Sequence, residues 1–393
     1  MKLPKGFTAS GIRSGIRKKR PDLALIVAEK GANAAAIFTT NRIVAAPVTI
    51  SKASLRASGG RLKAVVVNAG CANAVTGKEG HAAAKRVQAR AAELLGCTND
   101  EIQIASTGVI GVLLPDAKIR AFLPDAIARL SSGGIEAASH AILTTDVGPK
   151  VAQASFPWNG GRARIVGIAK GAGMIHPNMA TMLSFITTDA PATPAFLKQA
   201  LVEAASTSFN AISVDGDTST NDTVLLMASG AAGGPAMKGG TESAAFVKAL
   251  QQVCRELAWM IVRDGEGATR VMEIEVTGAR SDRDAKLAAH AIATSPLVKT
   301  ALHGGDPNWG RILAAAGRSG ARFNPKQVSL QLGAITLVAS GQPCAYAEKD
   351  AAKVVSRERV PVLLSLGTGP GKAVLMSCDL GHDYVSLNAD YRS

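Results

Sequence analysis

Lys63-Ala64-Val65-Val66-Val67 is a short apolar run, and an amphipathic segment follows it over residues 78–95. Near-continuous apolar runs of this length are typical of strands that are covered on both faces. The segment 78–95 carries Ala, Val and Leu at helical spacing, and Gly96 is a suitable residue for the C-terminal cap of a helix. The two segments together predict a strand and a helix of a layered α/β fold.

Further strand-like runs flank this unit. Leu23-Ala24-Leu25-Ile26-Val27 and Thr223-Val224-Leu225-Leu226-Met227 are again near-continuous apolar runs, and we expect both to be buried on two sides. Met272-Glu273-Ile274-Glu275-Val276 alternates apolar with acidic residues, which predicts a strand with one face in water.

Helices are predicted over 194–208, 242–263 and 284–294. Thr193-Pro194 supplies a cap followed by a first-turn proline, and Pro296 is expected to stop the last helix. The helix over 242–263 places its large apolar side chains on one stripe: Phe246, Leu250, Val253, Leu257 and Ile261. Strands and helices that mix without strict alternation favour an α+β or layered α/β fold.

The composition suits an aliphatic core in one large or two ordinary domains. The chain has 393 residues, of which 47% are hydrophobic and only 4% aromatic. The formal net charge is +14, which would attract carboxylate substrates. The one tight basic cluster, Arg17-Lys18-Lys19-Arg20, has no interleaved aromatic residues, so we expect no nucleic-acid partner.

The five cysteines are widely spaced, and neither they nor the six histidines form a metal-ligand pattern. A reducing compartment, the cytoplasm, is the expected location. No apolar run reaches the roughly 18–20 residues that span a bilayer, so we expect no membrane association. Gly367–Ala373 resembles a phosphate-binding loop, but the pattern needs glycine at position 366, which is Leu, and Ser or Thr at position 373, which is Ala. Asp215–Ser219 resembles the start of a calcium loop, but the glutamate that the loop needs is replaced by Leu226. No metal or cofactor is predicted.

A glycine- and proline-containing loop over residues 170–180 runs directly into an apolar strand, and Thr181 lies at the junction. On local pattern alone, a threonine that begins a strand is an ordinary structural residue. Thr107-Gly108 alone would likewise be a simple turn, Glu266 a surface carboxylate and Asn388 a turn residue.

Lys170–Leu183 resembles the signature of the ornithine acetyltransferase family, the bifunctional glutamate N-acetyltransferases. Further blocks match that family in order along nearly the whole chain: Thr39–Arg42, Ala45–Val48, Asn68–Ala74, Ser106–Gly111, Leu114-Pro115, Thr144–Asp146, Val214–Asp222, Gly265–Thr269, Gly305–Arg311, Cys378–Leu380 and Asn388–Ser393. Cys71 stands where the family often has a small polar residue, and Ser393 where threonine is usual.

The resemblance implies an α/β/β/α-type sandwich that cuts itself between Ala180 and Thr181. The products would be an N-terminal fragment, 1–180, and a C-terminal fragment, 181–393, which stay intertwined and need not be separate folding domains. Two copies of each fragment would form a heterotetramer.

The resemblance also implies that Thr181 is the nucleophile of an acetyl transfer from N-acetylornithine to glutamate. Cleavage would free the α-amine of Thr181, whose pKa of about 7.7–8.0 lets it act as a base beside its own hydroxyl. Thr107 and Gly108 would form the oxyanion hole. The family places the following residues at the substrate: Thr144, Lys170, Thr181, Glu266, Asn388 and Ser393. We assign a carboxylate of the substrate to Lys170 and the ornithine ammonium to Glu266.

The sequence leaves open whether acetyl-CoA also serves as a donor. Two other functions remain open as well. One is an N-terminal-nucleophile amidohydrolase or aminopeptidase, in which water takes the acyl group. The other is an uncleaved binding protein without enzymatic activity.

Overall fold

The computed structural model describes residues 1–176 and 182–390. The chain divides into two compact units. Among the described residues, the first unit consists of Met1–Asn210 and Asp217–Ile261, and the second of Ala211–Gly216 and residues 262–390.

The strands are β1 (Phe7–Ile12), β2 (Leu23–Phe38), β3 (Arg61–Cys71), β4 (Ile102–Val109), β5 (Lys150–Trp158), β6 (Gly161–Lys170), β7 (Leu183–Thr188), β8 (Ile212–Ser213), β9 (Thr223–Ala228), β10 (Val271–Ala279), β11 (Ser329–Leu332), β12 (Ile335–Ala339), β13 (Gln342–Pro343), β14 (Arg359–Ser365) and β15 (Gly371–Cys378). The α-helices are α1 (Ala46–Ala57), α2 (Gly77–Leu95), α3 (Asp116–Ala128), α4 (Ile135–Ala141), α5 (Pro194–Ser206), α6 (Ala244–Arg263), α7 (Asp282–Ala293), α8 (Pro296–His303), α9 (Trp309–Gly317), α10 (Glu348–Val355) and α11 (His382–Asp390). Short 3₁₀ turns occupy Asn99–Glu101, Phe209–Ala211, Thr241–Ser243 and Pro325–Gln327.

The first unit is built on a mixed sheet in the order β4-β3-β2-β9-β7-β6-β5, with β1 paired to β2. The pairs β3–β4 and β7–β9 are parallel, and the others are antiparallel. Thr107 and Gly108 lie near the end of β4, and Lys170 is the last residue of β6, so these three predicted residues lie at strand ends rather than in the middle of the sheet.

Helices cover both faces of this sheet where β2 and β3 cross it. Leu23 and Leu25 pack in a core with α2 and α3, whereas Ala24 and Ile26 pack in the core that contains α4. The side chains of a strand alternate between faces, so two covered faces require an unbroken apolar run. The sequence prediction of doubly covered strands is confirmed here.

The second unit carries a mixed sheet in the order β13-β12-β11-β14-β10-β15-β8. In β10, Met272, Ile274 and Val276 enter a core with α7, α8 and α9, while Glu273 is half-buried and Glu275 is exposed. The alternating pattern therefore predicted the wet face correctly. The expectation of a mixed, layered α/β fold with strands and helices is confirmed.

The four predicted helices are present, with bounds that differ from the predicted ones by at most two residues. Gly96 caps α2 with φ 63°, Thr193 caps α5 by accepting the Phe196 N–H, and the predicted apolar stripe of α6 is buried.

Pro296 does more than stop α7. It occupies the first turn of α8, which Ser295 caps by accepting the Val298 N–H, so the predicted stop is also a start.

In the part of the chain described above, none of the helices has both the length and the apolar character needed to cross a membrane.

Candidate active site

The paired ends of β3 and β4 bring two glycines together. Gly70 lies opposite Gly108 in the parallel register. Asn68 ties the two strands, since its Oδ1 accepts from Ser106 Oγ at 2.6 Å and its Nδ2 donates to the Cys71 carbonyl at 2.9 Å. The backbone at residues 107 and 108 is therefore held by a buried network.

Cys71 fits this network as a small buried residue. Its Sγ lies 3.3 Å from the Val112 carbonyl oxygen. Burial raises the pKa of the Cys71 thiol, so the side chain stays a neutral thiol and adds no charge near Gly108.

Gly108 has φ +130°, and a Cβ there would lie 2.3 Å from the Gly70 carbonyl carbon. If residues 107 and 108 form the predicted oxyanion hole, we expect Gly108→Ala to lower the predicted acetyl transfer by about 10²-fold or more, because the displaced backbone would lose a hydrogen-bond donor. Gly111→Ala is the matched control. Gly111 also has positive φ, +80°, but open space surrounds its Cβ position, so that variant should cost only about 1–2 kcal/mol of strain. Equal transfer rates in the two variants would contradict the assignment.

Lys170 is the last residue of β6, and its ammonium group reaches Thr107. Lys170 Nζ donates to Thr107 Oγ1 at 3.3 Å and lies 3.9 Å from Asp146 Oδ2. The lysine side chain is only 4% exposed. Two residues that the sequence placed in different roles, oxyanion hole and substrate binding, are thus direct neighbours.

Asp146 is the centre of this cluster. Its Oδ1 accepts from Lys150 Nζ at 2.7 Å and from the Gly171 N–H at 2.6 Å. Its Oδ2 accepts from the Thr144 N–H at 3.0 Å. One carboxylate therefore joins the loop before β5, the start of β5 and the end of β6.

Burial by itself would raise the pKa of Asp146. The ammonium groups of Lys170 and Lys150 outweigh it, together with the Lys150 and Thr144 hydrogen bonds, and hold the pKa well below its usual range. Asp146 is therefore ionised at neutral pH. Its carboxylate charge stabilises the Lys170 ammonium group, which lies 3.9 Å away.

Two arginines of the basic cluster support the loop that carries Thr144. Arg17 donates to the carbonyls of Leu143 at 2.6 Å and Thr144 at 3.3 Å, and Arg20 donates to the Asp146 carbonyl at 3.5 Å. This gives the cluster a structural role within the first unit.

The start of β7 lies beside the start of β9. The Met182 N–H donates to Asp222 Oδ1 at 2.9 Å, and the Thr223 N–H donates to the Met182 carbonyl at 3.0 Å. The predicted nucleophile Thr181 and its neighbour Ala180 lie outside the described residues.

In the second unit, Asn388 Nδ2 donates to Glu266 Oε2 at 2.7 Å and to the Tyr384 carbonyl at 3.0 Å. The structure thus brings together Glu266 and Asn388, two predicted substrate residues that are 122 positions apart. Ser393 lies outside the part of the chain that the structure describes.

Sequence reasoning missed three buried residues around the predicted ones, namely Asp146, Lys150 and Asp222. Asp146 and Asp222 stood inside matching blocks without a role, and Lys150 stood in none. The signal for Lys150 is weak in a sequence, because a lysine that begins a strand is usually exposed.

A model of the ArgJ family matches residues 8–393. The arginine biosynthesis bifunctional protein ArgJ of Chlorobaculum tepidum is 47% identical over 390 residues, covering 99% of this chain and 96% of the relative. The protein of the same name from Geobacter sulfurreducens is 46% identical over 392 residues, 99% of each chain. A crystal structure of ArgJ from Bacillus halodurans is 44% identical with a TM-score of 0.52, and it covers 54% of this chain and 100% of that chain.

Proposed function

The chain belongs to the ArgJ family, and on that premise we propose that it transfers an acetyl group from N-acetylornithine to glutamate. The family resemblance of the sequence is confirmed, and the chain is a bifunctional enzyme of arginine biosynthesis like its named relatives. The observation that supports the proposal is the buried contact of Lys170 with Thr107 and Asp146, because it would join Thr107 of the proposed oxyanion hole to a cation that can hold a carboxylate.

We propose that the precursor first cuts itself. Thr181 Oγ attacks the Ala180 carbonyl carbon, and the C–N bond between Ala180 and Thr181 breaks. The nitrogen of Thr181 takes up the proton that the hydroxyl loses. Water then hydrolyses the resulting ester, which leaves a carboxylate on Ala180 and a free α-amine on Thr181. The match to the Bacillus halodurans crystal structure covers the whole of that structure's chain but only 54% of this one. Residues 181–393 make up a similar share of this chain, which supports a mature fragment of that length.

In the proposed cycle the α-amine of Thr181 takes the proton of its own hydroxyl. The hydroxyl oxygen attacks the acetyl carbonyl of N-acetylornithine, and Thr107 and Gly108 stabilise the oxyanion. The C–N bond breaks, ornithine leaves with the proton, and an acetyl ester remains on Thr181. The amine of glutamate then attacks that ester, and the enzyme returns to its starting state. This is a ping-pong sequence.

Substrate recognition follows from the charges. Lys170 is a buried ammonium suited to the α-carboxylate shared by both substrates, and Thr144 is held beside it by Asp146. For the ornithine ammonium we propose the carboxylate of Glu266, oriented by Asn388. Ser393 completes the proposed set.

The assembly and location are also proposals. We propose a heterotetramer of two copies of each fragment. Free, widely spaced cysteines favour the reducing cytoplasm. Because the relatives are named bifunctional, acetyl-CoA is the second donor to test.

The denaturing intact mass of the protein, with and without N-acetylornithine, tests the proposal. We expect two fragments divided between Ala180 and Thr181, and the mass of one acetyl group added to the C-terminal fragment after incubation with donor. An uncut chain without adduct would instead favour a binding protein.

Product analysis with and without glutamate separates a transferase from an amidohydrolase. A transferase gives N-acetylglutamate when glutamate is present and at most slow release of acetate without it. Acetate at the same rate in both samples would identify water as the acceptor and refute the transfer.

A further inference from the structure

Met182 is restrained on both sides of its backbone. Its carbonyl accepts the Thr223 N–H, and its own N–H donates to Asp222 Oδ1 at 2.9 Å. The parallel ladder of β7 and β9 begins at Leu183 opposite Thr223. The Asp222 carboxyl group therefore supplies the acceptor that extends this ladder by one residue, toward Thr181.

Asp222 is held in place by its burial and by a backbone hydrogen bond. Its side chain is fully buried, and its backbone carbonyl accepts the Thr39 N–H at 2.9 Å. Within residues 1–176 and 182–390, Asp222 Oδ2 has no hydrogen-bond partner. An unpartnered buried polar atom costs about 1–3 kcal/mol. Oδ1 satisfies the Met182 N–H, and the Thr39 side chain is another group that favours the charged form of this carboxyl.

The chemical state of Asp222 follows from this burial. Burial raises the pKa of Asp222 well above its usual range, and the Met182 hydrogen bond and the charge of Lys170 offset this only in part. Burial thus favours the protonated form of this side chain, whose unprotonated oxygen can accept the Met182 N–H.

We propose that Asp222 is a positioning residue for the nucleophile, which fixes the Met182 N–H and thereby the peptide unit that links residues 181 and 182. A peptide unit is planar, so one hydrogen bond to its N–H restrains the direction of the bond to the preceding residue. Displacement of a reacting group by about 1 Å can cost 10²-fold in rate. The inference rests on the proposed role of Thr181.

The test compares Asp222→Ala with Asp222→Asn. The alanine variant loses the acceptor, and we expect self-cleavage and kcat per cleaved chain to fall by about 10²-fold, with KM for both substrates unchanged. The asparagine variant keeps a carbonyl oxygen and a neutral group of the same shape. We therefore expect it to restore at least about tenfold of the lost rate without a change in the pH profile.

Asp189 offers a matched control at the other end of β7. It is also buried, and it accepts the backbone N–H groups of Arg164 at 2.8 Å and Lys5 at 3.3 Å. Asp189→Ala is expected to lower the melting temperature while cleavage and kcat stay at the wild-type level.

Three outcomes would overturn the inference: wild-type rates in Asp222→Ala, an Asp222→Asn variant as slow as Asp222→Ala at the wild-type melting temperature, or an equal loss in Asp189→Ala. Failure of the proposed function is distinguishable. In that case Thr181→Ala would itself still be cut or active, whatever the Asp222 variants do.

Discussion

Thr181→Ala is expected to remain a single uncut chain and to lose acetyl transfer. The variant has no hydroxyl to attack the Ala180 carbonyl, so no free α-amine forms. It also has no oxygen to carry the acetyl group. Loss of the nucleophile of an enzyme that forms an acyl intermediate can cost on the order of 10⁶-fold in kcat, as in a serine protease. Denaturing mass analysis and a transfer assay on the same preparation measure both effects.

Thr181→Ser is the control for this experiment. Serine keeps the hydroxyl and the α-amine that cleavage would release, but lacks the methyl group that restricts χ1. We expect cleavage and transfer to continue at a reduced rate. A cut or active Thr181→Ala protein would refute the assignment of the nucleophile.

Asp146→Asn is expected to lower the free energy of unfolding by about 3–5 kcal/mol, the usual cost of breaking a buried ion pair. The ammonium groups of Lys150 and Lys170 would lose the carboxylate that they share. Transfer should fall as well, because Lys170 would no longer be held beside Thr107. Denaturant unfolding and the transfer assay give the two results.

Asp116→Asn is the matched control. Asp116 is also shared by two cations, Arg86 and Arg120, at 2.9 Å each, but these side chains are 42% and 39% exposed. Solvent screens such pairs, so we expect a loss of about 1 kcal/mol or less. Equal losses in the two variants would show that burial of the Asp146 cluster is not what stabilises it.

The same carboxylate predicts the acid response of the protein. The pKa of Asp146 is lowered in the folded state. Its contribution to the free energy of unfolding is therefore complete above the unfolded-state pKa of about 3.9 and is lost as the pH falls below that value. In the Asp146→Asn variant this part of the pH dependence should be flatter, which unfolding midpoints over a pH series would show.

Much of the fold could be predicted because the relevant signals are local. Leu23–Val27 lacks polar residues, and that alone shows a strand with two covered faces. The cap of α5 likewise needs only Thr193 and Pro194. The double role of Pro296 is harder to predict from the sequence. The fixed φ of a proline both prevents a preceding helix from continuing and suits the first turn of a new one, so the residue alone does not distinguish the two roles.

The site could be predicted in part. The resemblance named Thr107 and Lys170, and the structure shows their contact, but the part played by Asp146 could not be inferred. Its neighbours come from the loop before β5, the start of β5 and the end of β6, and the pairing of β5 with β6 brings these together. The roles of Thr181, Ala180 and Ser393 stay predictions.

The order of the first sheet has a consequence for how the enzyme unfolds. Strands β1–β6 precede the proposed cut, yet β9 and β7, which follow it, lie side by side between β2 and β6. After the proposed cut, the C-terminal fragment would be held by two strand pairings, β2–β9 and β6–β7, and could not leave unless both opened. Once the chain is cut, refolding requires two molecules to meet. The unfolding midpoint of the mature enzyme should then rise more steeply with protein concentration than that of the uncut precursor.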